Sequence, residues 1–205
     1  MKSNDSLSLF PDFQQRLSVL RSLGSVESEN DTVAMKGRVA CEMNTCDELL
    51  AAEMIFNNIL EPLNPPEAVA ILAALICQEK SSDSSPLTSR METAKYELLE
   101  LDAVLKSVQE GCGLVLNSEG KPSLNFALSA VVYEWARGLS FKDITSMTDI
   151  AEGSIVRCTT RLDELCKDIR NAARVIGNPS LYRKMEAASE CIKRDIVFAA
   201  SMYVS

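Results

Sequence analysis

Between Ile155 and Ile176 the apolar residues Ile155, Cys158, Leu162, Leu165, Ile169, Ala172 and Ile176 recur in steps of three and four without a break. At 3.6 residues per turn such spacing puts them all on one side of an α-helix, as a seam that must be buried against other helices. A chain built around it is expected to be a helical bundle, a mainly α fold. Composition agrees: Gly and Pro number only 8 and 7 in 205 residues, and the 46% hydrophobic content suffices for one sizeable core or two small ones.

Elements on either side follow from caps and periodicity. Pro11, the apolar repeat Phe13, Leu17 and Leu20, and Gly24 predict a short helix over Phe10–Leu23. After the polar turn Glu27–Asp31, the weak alternation over Thr32–Val39 predicts a strand. Helix, turn and strand together read as the tail of a winged helix, so residues 1–40 are expected to be a partial winged-helix remnant and 41–205 a C-terminal helical bundle. Thr45 and Glu48 have capping-box spacing ahead of a helix reaching Leu60. Asn64 and Pro65 open a second helix to Gln78, apolar nearly all round and therefore central. Lys80–Ser89 (KSSDSSPLTS) reads as a flexible loop, residues 80–89. Ser89 and Glu92 open a helix with Met91, Ala94, Leu98, Leu101, Leu105, Val108 and Cys112 on one face. Gly111–Pro122 breaks the pattern, and it is not a phosphate-binding loop: Gly113 lies seven positions before Gly120, and Pro122 stands where Ser or Thr is required. Ser123 is expected to cap a helix ending at Gly138, Ser140 a short one, and Asn178-Pro179 a last one carrying Leu181, Met185, Ala188, Ile192, Ile196 and Ala199 to near Val204.

Charge and cysteines narrow the function classes. A net charge of −8 removes the broad electropositive surface that duplex binding needs, so any nucleic-acid contact is local. The seven cysteines are scattered, with no Cys-x-x-Cys pair, and the chain has no histidine. They read as small core residues of a reducing compartment rather than metal ligands. Acidic Glu42 and Asp47 give Cys41 and Cys46 no reason for a reactive thiolate. Met1–Leu9 shows neither signal peptide nor membrane span, so a soluble intracellular protein is expected.

On the long helix a second stripe, Arg157, Arg161, Glu164, Asp168 and Asn171, steps in the same way. It reads either as a solvated face stitched by opposite charges, or as a surface along a nucleic-acid path, where guanidinium groups stack on bases or grip phosphates and carboxylates meet base edges. Ser140–Arg161 also resembles a helix-turn-helix, in which Arg157, Thr160 and Arg161 would enter a DNA major groove; the acidity of the chain speaks against it. Lys193 and Arg194 read as complements of their own helix dipole, with RNA contact as the alternative, and Trp135 as a core anchor.

The strings PDFQQRLSVLRSLG, MKGRVACEM, DELLAAEMIFNNIL, VVYEWARG, EGSIVR, RLDEL and IKRDIVFAASMYV, in this order from Phe10 to Val204, resemble the C-terminal (DSHCT) region of Ski2-like exosome RNA helicases. The form VVYEWARG is more similar to the cytoplasmic superkiller branch than to the nuclear one, which implies a cytoplasmic location with the nucleus as alternative. The resemblance implies a bundle that closes the RNA channel of an ATP-dependent 3′-to-5′ helicase, partnered by RecA-like domains and, through the parent helicase, by Ski-complex or exosome subunits. It also implies that one long "ratchet" helix touches the bases of single-stranded RNA. The matching helix is Ser154–Ile176, and the contacting Arg and Glu fall on Arg161 and Glu164, with Arg157 and Asp168 on the same stripe.

The chain contains no Walker A loop, DExH box or helicase arginine motif. ATP and Mg belong to the helicase core in that family, so no cofactor and no catalytic residue are expected here, and alone the chain should neither hydrolyse ATP nor unwind RNA. A truncated product, a partial gene model and an excised domain all fit. The rival expectations are a stand-alone protein-interaction bundle without RNA contact and, third, a helix-turn-helix DNA binder.

Overall fold

Five α-helix starts in this chain are set by side-chain oxygens that accept otherwise unpaired backbone N–H groups. The computed structural model describes residues 10–81, 85–115 and 123–194, and among them are nine α-helices and no strand. They are α1 (Phe10–Ser22), α2 (Met35–Ala40), α3 (Glu48–Phe56), α4 (Pro65–Leu72), α5 (Ser89–Gly111), α6 (Ser129–Arg137), α7 (Phe141–Thr145), α8 (Glu152–Ile176) and α9 (Pro179–Ile192). Asn64 caps α4 as expected, with proline in the first turn, and Glu67 completes a capping box with it. Ser140 caps α7 and Asn178 caps α9.

Several starts differ from expectation. Asp47 rather than Thr45 accepts from Leu50 N and opens α3. Thr88 rather than Ser89 accepts from Met91 N and opens α5. Ser123 donates to Asp102 instead of capping, and the chain passes through a short 3-10 turn, Phe126–Leu128, before α6. The strand expected over Thr32–Val39 is overturned. Residues Met35–Ala40 are helical, and the only pairing nearby is one isolated antiparallel bridge between Val26 and Val33. Gly37 lets α2 lie against this turn, since a Cβ there would collide with the Ser25 carbonyl oxygen. Val39 and Ala40 belong to the same buried cluster as Leu162 and Leu165, so one core runs across position 40.

The core centres on α4, which packs against α5, α6, α8 and α9 and buries every residue from Glu67 to Leu72. Buried Glu67 ties two helix starts together. Its carboxylate accepts from Asn64 N and from the Thr88 hydroxyl, whose oxygen in turn caps α5. The most extensive pairing is α8 with α9. Gly177, in the left-handed region at φ 77°, turns the chain between them. The Asn178 N–H closes back onto the Ala173 carbonyl, a terminus that glycine favours.

Trp135 is 1% exposed and donates its indole N–H to the Ile192 carbonyl at 3.0 Å, as a core anchor. Lys193 and Arg194 do not serve their own helix. Lys193 pairs with Asp163 at 2.9 Å. Arg194 stacks 4.1 Å over Trp135 and donates to the Trp135 and Leu139 carbonyls, capping α6. The expected helix through Ile196 and Ala199 to Val204, the signal-peptide reading of Met1–Leu9, part of the 80–89 loop and most of the Gly111–Pro122 segment lie outside the described residues.

Candidate nucleic-acid interface

α8 begins at Glu152, two residues before the expected Ser154, and incorporates Gly153 into its first turn. Ser154 donates its hydroxyl to Glu79 at 2.7 Å, fixing the end of the helix against the segment that follows α4. The seam Ile155, Cys158, Leu162, Leu165, Ile169 and Ala172 is buried throughout. The polar stripe divides on closer view. A residue two positions after a seam residue lies about 200° around the helix and faces away, whereas Arg161 and Asp168, three positions after Cys158 and Leu165, lie about 300° around and sit on the flank.

Flank residues are taken up by the fold. Asp168 is 8% exposed. Its Oδ2 accepts from Asn44 N at 2.9 Å and from the Thr45 hydroxyl at 2.7 Å. Arg161 is half-buried and donates through Nη2 to the Thr45 carbonyl at 2.8 Å. The loop before α3 is thus clasped between Arg161 and Asp168, so Asp168 is a structural acceptor rather than a residue presented outward. Cys46 in that loop has its thiol pushed up to about 12, first by burial and then by Asp47, Asp168 and Glu48, which keeps it protonated and unreactive.

Arg157 and Glu164 face solvent, and with them stand exposed Thr160, Lys167 and Arg174, with Asn171 half-exposed. This stripe runs in steps of three and four like the seam, displaced by two positions. The polar stripe expected from the sequence holds neither Lys167 nor Arg174, and Thr160 is expected only within the helix-turn-helix. The phase of the seam itself was the signal that could have found them. Arg157 and Arg161 border a shallow recess with Gln78, Glu79 and Ser154, floored by Cys77 and Cys158. Of the helix-turn-helix trio, Arg157 and Thr160 are exposed, while Arg161 is engaged with Thr45.

Electrostatics follow from which charges are spent inside. On α8 the acids Asp163 and Asp168 are consumed, Asp163 by the Ser189 hydroxyl and Lys193. Exposed acids are then Glu152 and Glu164, against exposed Arg157, Lys167 and Arg174 and half-buried Arg161 and Arg170. An acidic chain therefore carries a locally cationic helix face. Among the described residues no cluster of His, Cys, Asp and Glu is arranged to hold a metal ion, and no helix is long and apolar enough to cross a membrane.

Residues 30–199 match the family model described as the DSHCT (NUC185) domain. The chain is 44% identical over 205 residues to the DExH-box ATP-dependent RNA helicase DExH11 of Arabidopsis thaliana, an alignment covering 99% of this chain and 15% of that protein. It is 43% identical over 202 residues to Superkiller complex protein 2 of Homo sapiens, covering 98% of this chain and 16% of that protein. To Exosome RNA helicase MTR4 of Homo sapiens it is 42% identical over 190 residues, 92% of this chain and 18% of that protein. The chain thus spans 15–18% of the length of these three relatives.

Proposed function

This chain belongs to the DSHCT (NUC185) domain family, a domain carried by Ski2- and MTR4-type RNA helicases, and from that premise we propose that it is the RNA-guiding helical module of an ATP-dependent 3′-to-5′ helicase that feeds RNA to the exosome. The observation that carries this reading is the division of α8. One face is wholly committed to the core, and the opposite face presents Arg157 and Glu164 to solvent with Arg161 at its edge. Guanidinium groups supply phosphate contacts and stacking planes, and a carboxylate accepts from base amino groups. Because α8 is braced by α4 and α9 and by the clasped Thr45 loop, these groups sit on a rigid element. ATP and Mg would be bound by the RecA-like core of the parent helicase, which is the module's immediate partner, with Ski-complex or exosome subunits reached through it. Its place is the cytoplasm, or the nucleus if the parent is of the MTR4 type.

The test is RNA-stimulated ATPase of a helicase carrying this module. Arg157→Ala and Glu164→Ala lose no bond among the described residues, and each is expected to lower the stimulation without lowering the melting temperature. Arg161→Ala should lower it too, though it also frees the Thr45 loop. Removing one phosphate-contacting cation should flatten the salt dependence of RNA binding by up to ~0.7 in slope. Unchanged stimulation in both Arg157→Ala and Glu164→Ala would count against the assignment.

A second reading, protein interaction without RNA contact, rests on a different surface. Phe10, Phe13, Val33 and Met35 are exposed, and Val33 lines a groove with Val19, Leu20 and Val26. Salt-sensitive binding of labelled single-stranded RNA separates the two readings, since the interaction reading expects none.

A further inference from the structure

The exposed stripe of α8 does not stop at Glu164. It continues through Lys167 and Asn171 to Arg174, in the last turn of the helix, where Gly177 folds α9 back alongside. There the Arg174 guanidinium lies 4.9 Å from the Tyr182 ring centroid and donates through Nη2 to the Tyr182 hydroxyl at 3.0 Å. Two contacts from one tyrosine hold the guanidinium against the ring. Arg174 is itself exposed. A shallow notch lined by Arg174, Gly177, Asn178, Tyr182 and Arg183 lies beside it. Nothing approaches within 4 Å of where a Cβ on Gly177 would stand, so a ligand can come close to the backbone. Arg183 is exposed and makes no hydrogen bond or ion pair among the described residues.

We infer that this notch is a second nucleotide subsite, at which the Tyr182-braced Arg174 guanidinium stacks on a base of single-stranded RNA and Arg183 takes the adjoining phosphate. The inference rests on the RNA-guiding reading of α8 and extends it to the far end of the helix. From Arg157 to Arg174 the α-helical rise of ~1.5 Å per residue gives roughly 25 Å, a span suited to a run of several nucleotides. Charge selects the ligand. The chain is acidic overall, yet this end of α8 and the start of α9 present exposed Lys167, Arg174 and Arg183, with no acidic residue in the sequence between Asp168 and Glu186. A planar guanidinium fixed on an aromatic ring is suited to a base; an acidic peptide would need only the charge.

The experiment uses the 205-residue chain and fluorescence anisotropy with labelled oligouridylates of about 12 and about 4 nucleotides, lengths within the range that single-strand sites occupy. Arg174→Ala is expected to weaken the longer oligomer about fivefold or more, the loss associated with one stacked base, and to leave the shorter one within about twofold. Arg174→Lys should fail to restore the affinity, and Arg183→Ala should flatten the salt slope by up to ~0.7. Thermal melting of each variant confirms that the fold is kept. If the longer oligomer binds and loses affinity on Arg157→Ala but not on Arg174→Ala, the subsite is overturned while the RNA reading of α8 stands. If neither oligomer binds the unaltered chain, both fall. Restoration by Arg174→Lys, or equal binding of a polyglutamate peptide, would replace the base by an acidic protein segment and overturn the inference.

Discussion

The α8–α9 hairpin and α1 are held in place by different means. α8 buries one continuous seam against α9, α4 and α2, and its polar flanks are closed by Asp163 with Ser189 and Lys193, and by Asp168 with the Thr45 loop. α1 buries only Val19 and leaves Phe13 60% exposed. Its side-chain tie to the following turn is the exposed Arg21–Asp31 ion pair. The difference teaches where the sequence carries its own instructions. A helix whose seam spans its whole length needs nothing beyond its neighbours to fix its phase, whereas a helix that hides one side chain is positioned by surface contacts.

Three substitutions test this contrast, in descending order of expected effect. Leu162→Ala, at a fully buried position of the seam, should cost about 2–5 kcal/mol in denaturant unfolding, the range for cavities left in well-packed cores. Asp168→Ala removes the acceptor for Asn44 N and the Thr45 hydroxyl; a loss of about 1–3 kcal/mol is expected, with faster amide exchange over residues 44–46. Arg21→Ala should change stability by less than about 1 kcal/mol, because both partners of its ion pair are solvated and screened. A loss as large as that of Leu162→Ala would show that the N-terminal segment is not held as described.

Alkaline titration probes the packing of α8 without mutation. Burial pushes the thiols of Cys158 and Cys166, both on α8, up to about 12 from an ordinary value of 9.0. The folded state therefore keeps protons that the unfolded chain gives up. The stability this contributes is fully present below pH 9 and is lost as pH rises from there toward 12. Replacing either cysteine by alanine should blunt the loss in that window. At neutral pH an alkylating reagent should modify exposed Cys41 and spare both buried thiols.

The bundle was legible because its seam, its proline starts and its Asn64 and Asn178 caps are local signals. The strand over Thr32–Val39 was a misreading of weak alternation; Gly37 lets that segment pack as a short helix against the Ser25 backbone, a long-range fit that no spacing encodes. On α8 the core face could be read directly, but the solvent face only in part. Arg161 and Asp168 occupy flanks whose fate depends on a loop more than a hundred residues earlier in the chain. Lys167 and Arg174, by contrast, were accessible from the helical phase alone.

The account turns on α8 offering its outward stripe to single-stranded RNA, and photo-crosslinking tests that most directly. With a 4-thiouridine oligomer bound to the chain and the linked peptides mapped by mass spectrometry, cross-links are expected on the Arg157–Thr160–Glu164–Lys167 side of α8. Cross-links confined to α5 or to residues 10–47, with α8 unmodified, would contradict it.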